Sequence, residues 1–154
     1  MKARAILASL AIFLPIVVLG GGLDVHIGTW KLNESKSKLA AGITKNDTVI
    51  YEMAGDDLVV TVDGVSSDGK PVHHVWTGKV DGKDYPVSGD PNGDMRSYKK
   101  IDDRTIEFVG KRAGKVTVTG RVAQSADGKT RTVTTIGTDA KGKKVESTAV
   151  YDKQ

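Results

Sequence analysis

Residues 115–138 read KVTVTGRVAQSADGKTRTVTTIGT, and the reading of this stretch decides the fold. Val116, Val118, Gly120 and Val122 alternate with Thr117, Thr119, Arg121 and Ala123. A period of two belongs to a strand with one buried face, where successive side chains point to opposite sides. SADGK at 125–129 then breaks the pattern, and its Asp-Gly pair supplies the positive φ that a tight hairpin needs at little steric cost. A second alternating run follows at 130–138.

The same grammar extends outward over most of the chain. Leu58, Val60 and Val62 oppose Val59, Thr61 and Asp63, and AGDD (54–57), SSDGKP (66–71), VDGKD (80–84), IDDR (101–104), RAGK (112–115) and DAKGK (139–143) punctuate the runs. Strands are expected near 25–32, 47–54, 57–64, 71–80, 83–88, 95–101, 104–110, 115–124, 130–138 and 143–152. After position 30 no apolar pattern of period 3.6 lasts ten residues. About ten hairpin-linked strands in an open sheet would leave edges that template aggregation, and closure removes them. The expected fold is therefore all-β, an up-and-down antiparallel barrel of about ten strands, with a two-sheet sandwich as the alternative.

The chain of 154 residues divides at its start. Met1-Lys2-Ala3-Arg4 is basic, Ala5–Leu19 is apolar apart from Ser9 and Pro15, and Gly20-Gly21-Gly22 offers small residues for cleavage. This reads as a signal peptide over 1–22, preceding one domain over 23–154. An uncleaved anchor is the alternative, although the run is short for about 30 Å of hydrocarbon. The expected location is secreted or periplasmic, with no membrane span in the mature form. Without Lys2 and Arg4 the remainder holds 21 basic and 19 acidic side chains, interspersed, so nucleic acid is not an expected partner. The absence of cysteine removes disulfides, thiolate metal sites and thiol nucleophiles.

GTWKLNESKSK at 28–38 is similar to the first strand of the fatty-acid-binding proteins, where Gly-Thr-Trp-Lys-Leu precedes a Ser-containing turn. DGKTRTVTTIG (127–137) and STAVYDKQ (147–154) are similar to that family's last two strands. The layout resembles small exported bacterial lipocalin-like proteins of the calycin superfamily. The resemblance implies a barrel with a lumen, whose first-strand Trp30 plugs the floor opposite the mouth. Only Asn33–Asp47 separates the first two strands, enough for one helical turn but not for a two-helix lid. The fatty-acid-binding pattern ends Arg-x-Tyr; here Ala149-Val150-Tyr151 keeps the tyrosine and lacks the guanidinium that pairs with a carboxylate. Arg121 would replace it if its face is the lumen.

His73 and His74 are adjacent on one strand and point to opposite faces, so they cannot chelate one metal as a pair. His74 shares a face with Val72 and Trp76, whereas His26 is expected to be exposed near the processed terminus. SGDPNGD at 88–94 lacks the spacing and closing Glu of a calcium loop and reads as a wide turn beside the mouth. No Gly-x-Ser-x-Gly elbow is present, and the carboxylates cluster in turns, where they bond local amides. No enzyme activity, metal or cofactor is expected. The leading expectation is a carrier for a small apolar or amphipathic molecule, with Tyr151, Trp76, Arg121 and His74 as ligand-binding residues. The alternative is an interaction or inhibitor module that meets a protein partner of the cell envelope through its loops.

Overall fold

The computed structural model describes residues 22–139 and 141–154. The expected leader over 1–22 lies, except for Gly22, outside the described residues. Ten strands form one closed antiparallel ring in which each strand pairs with its chain neighbours and β1 pairs with β10. The strands are β1 (Gly28–Leu32), β2 (Lys45–Ala54), β3 (Asp57–Val65), β4 (Pro71–Gly78), β5 (Tyr85–Ser88), β6 (Met95–Asp102), β7 (Thr105–Arg112), β8 (Lys115–Gln124), β9 (Thr130–Thr138) and β10 (Lys144–Lys153). A single 3-10 turn, Glu34–Lys36, follows β1, and the Asn33 side chain caps it by accepting from the Lys36 amide. The barrel, rather than the sandwich, is the fold.

Alternation sorts the side chains as the pattern requires. Leu58, Val60 and Val62 of β3 are buried, while Asp63 between the same strands is exposed. One end of the barrel, here called the floor, is solid. Trp30, Tyr51, Leu58, Trp76, Tyr98, Ile106 and Val122 meet there in one cluster. Tyr51 and Tyr98 pack edge to face at 6.4 Å between centroids, and Trp76 lies tilted on Tyr98 at 4.6 Å. Burying aromatic rings of this size supplies much of the barrel's cohesion, since each removes about 150–250 Å² from water.

Trp30 takes the floor position that the resemblance implies. It is fully buried, and its Nε1 donates to the His26 carbonyl at 2.9 Å. Gly28 adopts φ +126°, and a Cβ there would press on Lys153, whose Nζ stands 5.2 Å above the Trp30 ring. The positive φ is what calls for glycine here, since the Lys153 tip could move aside from a Cβ.

Two expectations change at this level. Residues 24–26 form a turn, and β1 starts only at Gly28, with the His26 amide donating to the Leu23 carbonyl at 2.8 Å. His26 is consequently 1% exposed, and its Nδ1 lies 3.0 Å from Gln124 Nε2. Val116 does not share the inward face of Val118 and Val122. The β7–β8 register slips between Gly110 and Lys111, a bulge that places Val116 outward at 58% exposure. An extra residue in one strand reverses every side chain beyond it.

Candidate functional site

The end opposite the floor is hollow. A cavity of about 160 Å³ lies there, and its walls divide by chemistry. Leu39, Phe108, Val118, Val133, Val145 and Ala149 supply the apolar wall. His74, Asp90 and Arg96 supply a polar one, with Tyr151 beside Ala149.

The polar wall is built by the turn between β5 and β6. Gly89 has φ +79°, and a Cβ there would collide with the His73 carbonyl, so the turn can lie flat against β4. Asp90 Oδ1 then accepts the Asn92 amide at 2.8 Å, and Asp90 Oδ2 accepts Arg96 Nη2 at 2.7 Å. Arg112 Nη2 donates to the Pro91 carbonyl at 2.5 Å and ties the turn to β7. Across the mouth, Asn92 Nδ2 donates to Thr44 Oγ1 at 3.2 Å. SGDPNGD is therefore a turn beside the mouth, as expected, and the first of its two aspartates, Asp90, faces inward.

Burial alone would push the Asp90 carboxyl up; His74 and Arg96 beside it outweigh that and hold it below the usual carboxylate range. Burial likewise disfavours the Arg96 cation, and Tyr98 and Asp90 more than offset it. His74 Nδ1 stands 3.6 Å from Asp90 Oδ2, too far for a hydrogen bond. Neither ring nitrogen of His74 has a hydrogen-bond partner among the described residues, and nor does Arg96 Nε. Trp76 Nε1 donates to the Arg96 carbonyl at 2.9 Å, fixing the strand from below. Tyr151 donates its hydroxyl to the Asn46 carbonyl at 3.0 Å, and burial pushes its phenol up to about 12.

Of the four residues expected to bind ligand, the structure brings His74 and Tyr151 to the cavity. Trp76 is part of the floor cluster beneath it. Arg121 is a correction: it lies on the outer face, with Nη2 2.5 Å from Glu107 Oε1. The reason is register, since Gly120 and Val122 occupy the inward positions of β8. His73 also points outward, with Nδ1 2.6 Å from Asp63 Oδ1.

Sequence reasoning missed Arg96, Asp90 and Arg131. Arg131 is 1% exposed, and its guanidinium carbon sits 4.8 Å from the Trp30 ring centre, 4.6 Å from Tyr51 and 5.1 Å from Tyr151. Its Nε and Nη1 have no hydrogen-bond partner among the described residues, and three π faces surround the cation. Its signal was present in the register, because Arg131 stands directly across from Tyr151. Arg96 alternates with Tyr98, which marks it as inward once Tyr98 is placed in the core.

No family model matches the chain, and no curated protein matches it. Solved structures are similar to it. EF1p2_mFAP2b, in a structure bound to DFHBI, shares 12% identity over 88% of this chain and 99% of its own, with a TM-score of 0.49. A redesigned β-barrel, mFAP1, also bound to DFHBI, shares 15% identity over 86% and 99%, with a TM-score of 0.45. A further redesigned barrel, b11L5F_LGL, shares 14% identity over 87% and 96%, with a TM-score of 0.46.

Proposed function

We propose that the protein is an exported, non-enzymatic binding protein that holds one small apolar or amphipathic molecule in the mouth-end cavity. The observation that carries this reading is the unequal filling of the lumen. Aromatic side chains pack one half solid, while the other half leaves about 160 Å³ between an apolar wall and a few converging polar groups. That division is the usual character of a small-molecule site. The volume sets the scale of the occupant, since a cavity of about 150 Å³ takes one benzene ring. A single ring or a short chain fits; a retinoid or haem does not fit inside. Export is supported by the basic start, apolar run and glycine triplet of residues 1–22.

Thermal denaturation with short-chain fatty acids, small aromatics and their alcohols tests the reading. A saturating ligand, at about 100 times its Kd, stabilises by about 2.7 kcal/mol and raises the melting temperature by several degrees. The same ligand should leave Ala149→Phe unmoved, because the new ring fills the cavity. If no compound shifts the wild type, or if the filled variant responds equally, the reading fails.

A further inference from the structure

Residues 23–27 stand outside the closed ring and lie against its floor. Their two backbone bonds are internal, from the His26 amide to Leu23 and from the Ile27 amide to Asp24. Among the described residues, two side-chain contacts tie the segment to the barrel. Trp30 Nε1 donates to the His26 carbonyl, and His26 Nδ1 meets Gln124 Nε2 at 3.0 Å. Leu23 and Ile27 add partly buried apolar contacts with the core cluster. No residue of the segment enters the ladders of β1, and Gly28, at φ +126°, is the pivot between the two.

His26 is the member of this joint that a charge would unsettle. It is 1% exposed, and an amide nitrogen donating to Nδ1 needs the lone pair of a neutral ring. Nε2 then carries the ring proton and has no partner among the described residues. Turning the Gln124 amide would offer Oε1 to a protonated Nδ1, yet it would leave Nε2 as it is. The groups that face the ring are Tyr51 of β2, Lys100 and Asp102 of β6, Gln124 of β8 and Arg131 of β9. Within the segment itself the charged residue is Asp24, which is exposed. Asp102 is exposed too, and one of its oxygens accepts the Arg104 amide at 2.8 Å. A charged His26 thus meets two cations and one solvated carboxylate. Burial first, then Arg131 and Lys100, hold its imidazole down at about 4, against 6.5 for a free ring.

We propose that residues 23–27 are an acid-released latch: protonation of His26 swings the segment out about Gly28 and bares Trp30 Nε1, while the ten-strand ring stays closed. The released imidazole gains water on both nitrogens and leaves the neighbourhood of Arg131 and Lys100. Opening breaks no ladder bond, because β1 holds β2 and β10 through Gly28 and the residues after it. The sign follows from the lowered value in the closed form. The latch is at full strength above about pH 6.5 and loosens as pH falls toward 4.

Hydrogen exchange of the His26 and Ile27 amides and the Trp30 indole, corrected for intrinsic rate, tests this at pH 7.5 and 4.5. Protection of all three should fall on the order of 50-fold between those values. At both pH values it should stand at least about tenfold below that of the β3 and β10 amides, the mark of local opening. The fall should track the ionisation of His26 in an NMR titration and vanish in His26→Gln; if that variant does not fold, the wild-type titration decides. A change of less than about threefold overturns the proposal. So does protection equal to that of β3 and β10, which means that the whole ring opens, or a fall of the same size in His26→Gln.

Discussion

Trp30 shows how much a single side chain contributes to closing the floor. Its indole is fully buried, hydrogen-bonded to His26, and covered by the Arg131 guanidinium. Trp30→Ala should cost about 3–5 kcal/mol, through lost burial and the void left behind, measured by urea denaturation. Wild-type stability in that variant would contradict the floor assignment. His26 makes a second prediction at the same scale. Burial, then the Arg131 and Lys100 charges, push its imidazole down from an ordinary 6.5 to about 4. The unfolded chain therefore binds more protons than the folded one between those values. His26 contributes its full stability above about pH 6.5, and that contribution fades as pH falls toward 4, by on the order of 2 kcal/mol. Melting curves across that window should show the slope in wild type and a shallower one in His26→Gln.

At the scale of elements, the strands were legible because each carries its own signal of alternation, with glycine or aspartate at the turns. All ten appear, displaced by at most a few residues. What the pattern could not convey was pairing. The bulge that turns Val116 outward exists only in the match between β7 and β8, and no local feature of β8 announces it. Gly120 is a related case. Phe108 lies directly across from it, and its ring occupies the space a Cβ would need. Gly120→Ala should therefore destabilise by about 1–3 kcal/mol even though alanine suits a strand better in isolation; equal or greater stability by thermal melting would refute the packing argument. β5 is the weakest element, a four-residue strand that pairs through two residue pairs with β4 and two with β6. Its amides should exchange with deuterium faster than those of β3 or β10, since short ladders open locally at low cost.

Across the whole molecule, the lumen divides into a filled floor and an open mouth, and the sequence revealed the two halves unequally. Of the floor, Trp30 was legible through the resemblance carried by the Gly-Thr-Trp stretch, whereas Trp76, expected at the ligand, packs in that floor with Tyr51 and Tyr98. The polar wall was harder. His74 could be placed on an inward face from alternation with Trp76, but Asp90 lies in a turn, where an aspartate ordinarily bonds its own backbone. Here one carboxylate oxygen does so, while the other reaches Arg96. That double duty depends on how β5 and β6 sit across the ring. Arg121 misled for the same reason, since choosing between two faces of β8 requires the closed barrel.

Closure between β1 and β10 also governs how this chain can be made. Trp30 pairs with Lys153, more than a hundred residues away, and beyond it the Gln154 amide donates to the Thr29 carbonyl at 3.0 Å. A growing polypeptide therefore has to complete β10 before the ring can shut. Until then β1 and β9 each present a bare edge, the kind that recruits other chains. Folding should be correspondingly slow for a protein of this size, in the millisecond-to-second range typical of non-local sheets. A chain ending before Lys144 should accumulate as aggregate instead of as a nine-stranded monomer, a difference that size-exclusion chromatography would resolve.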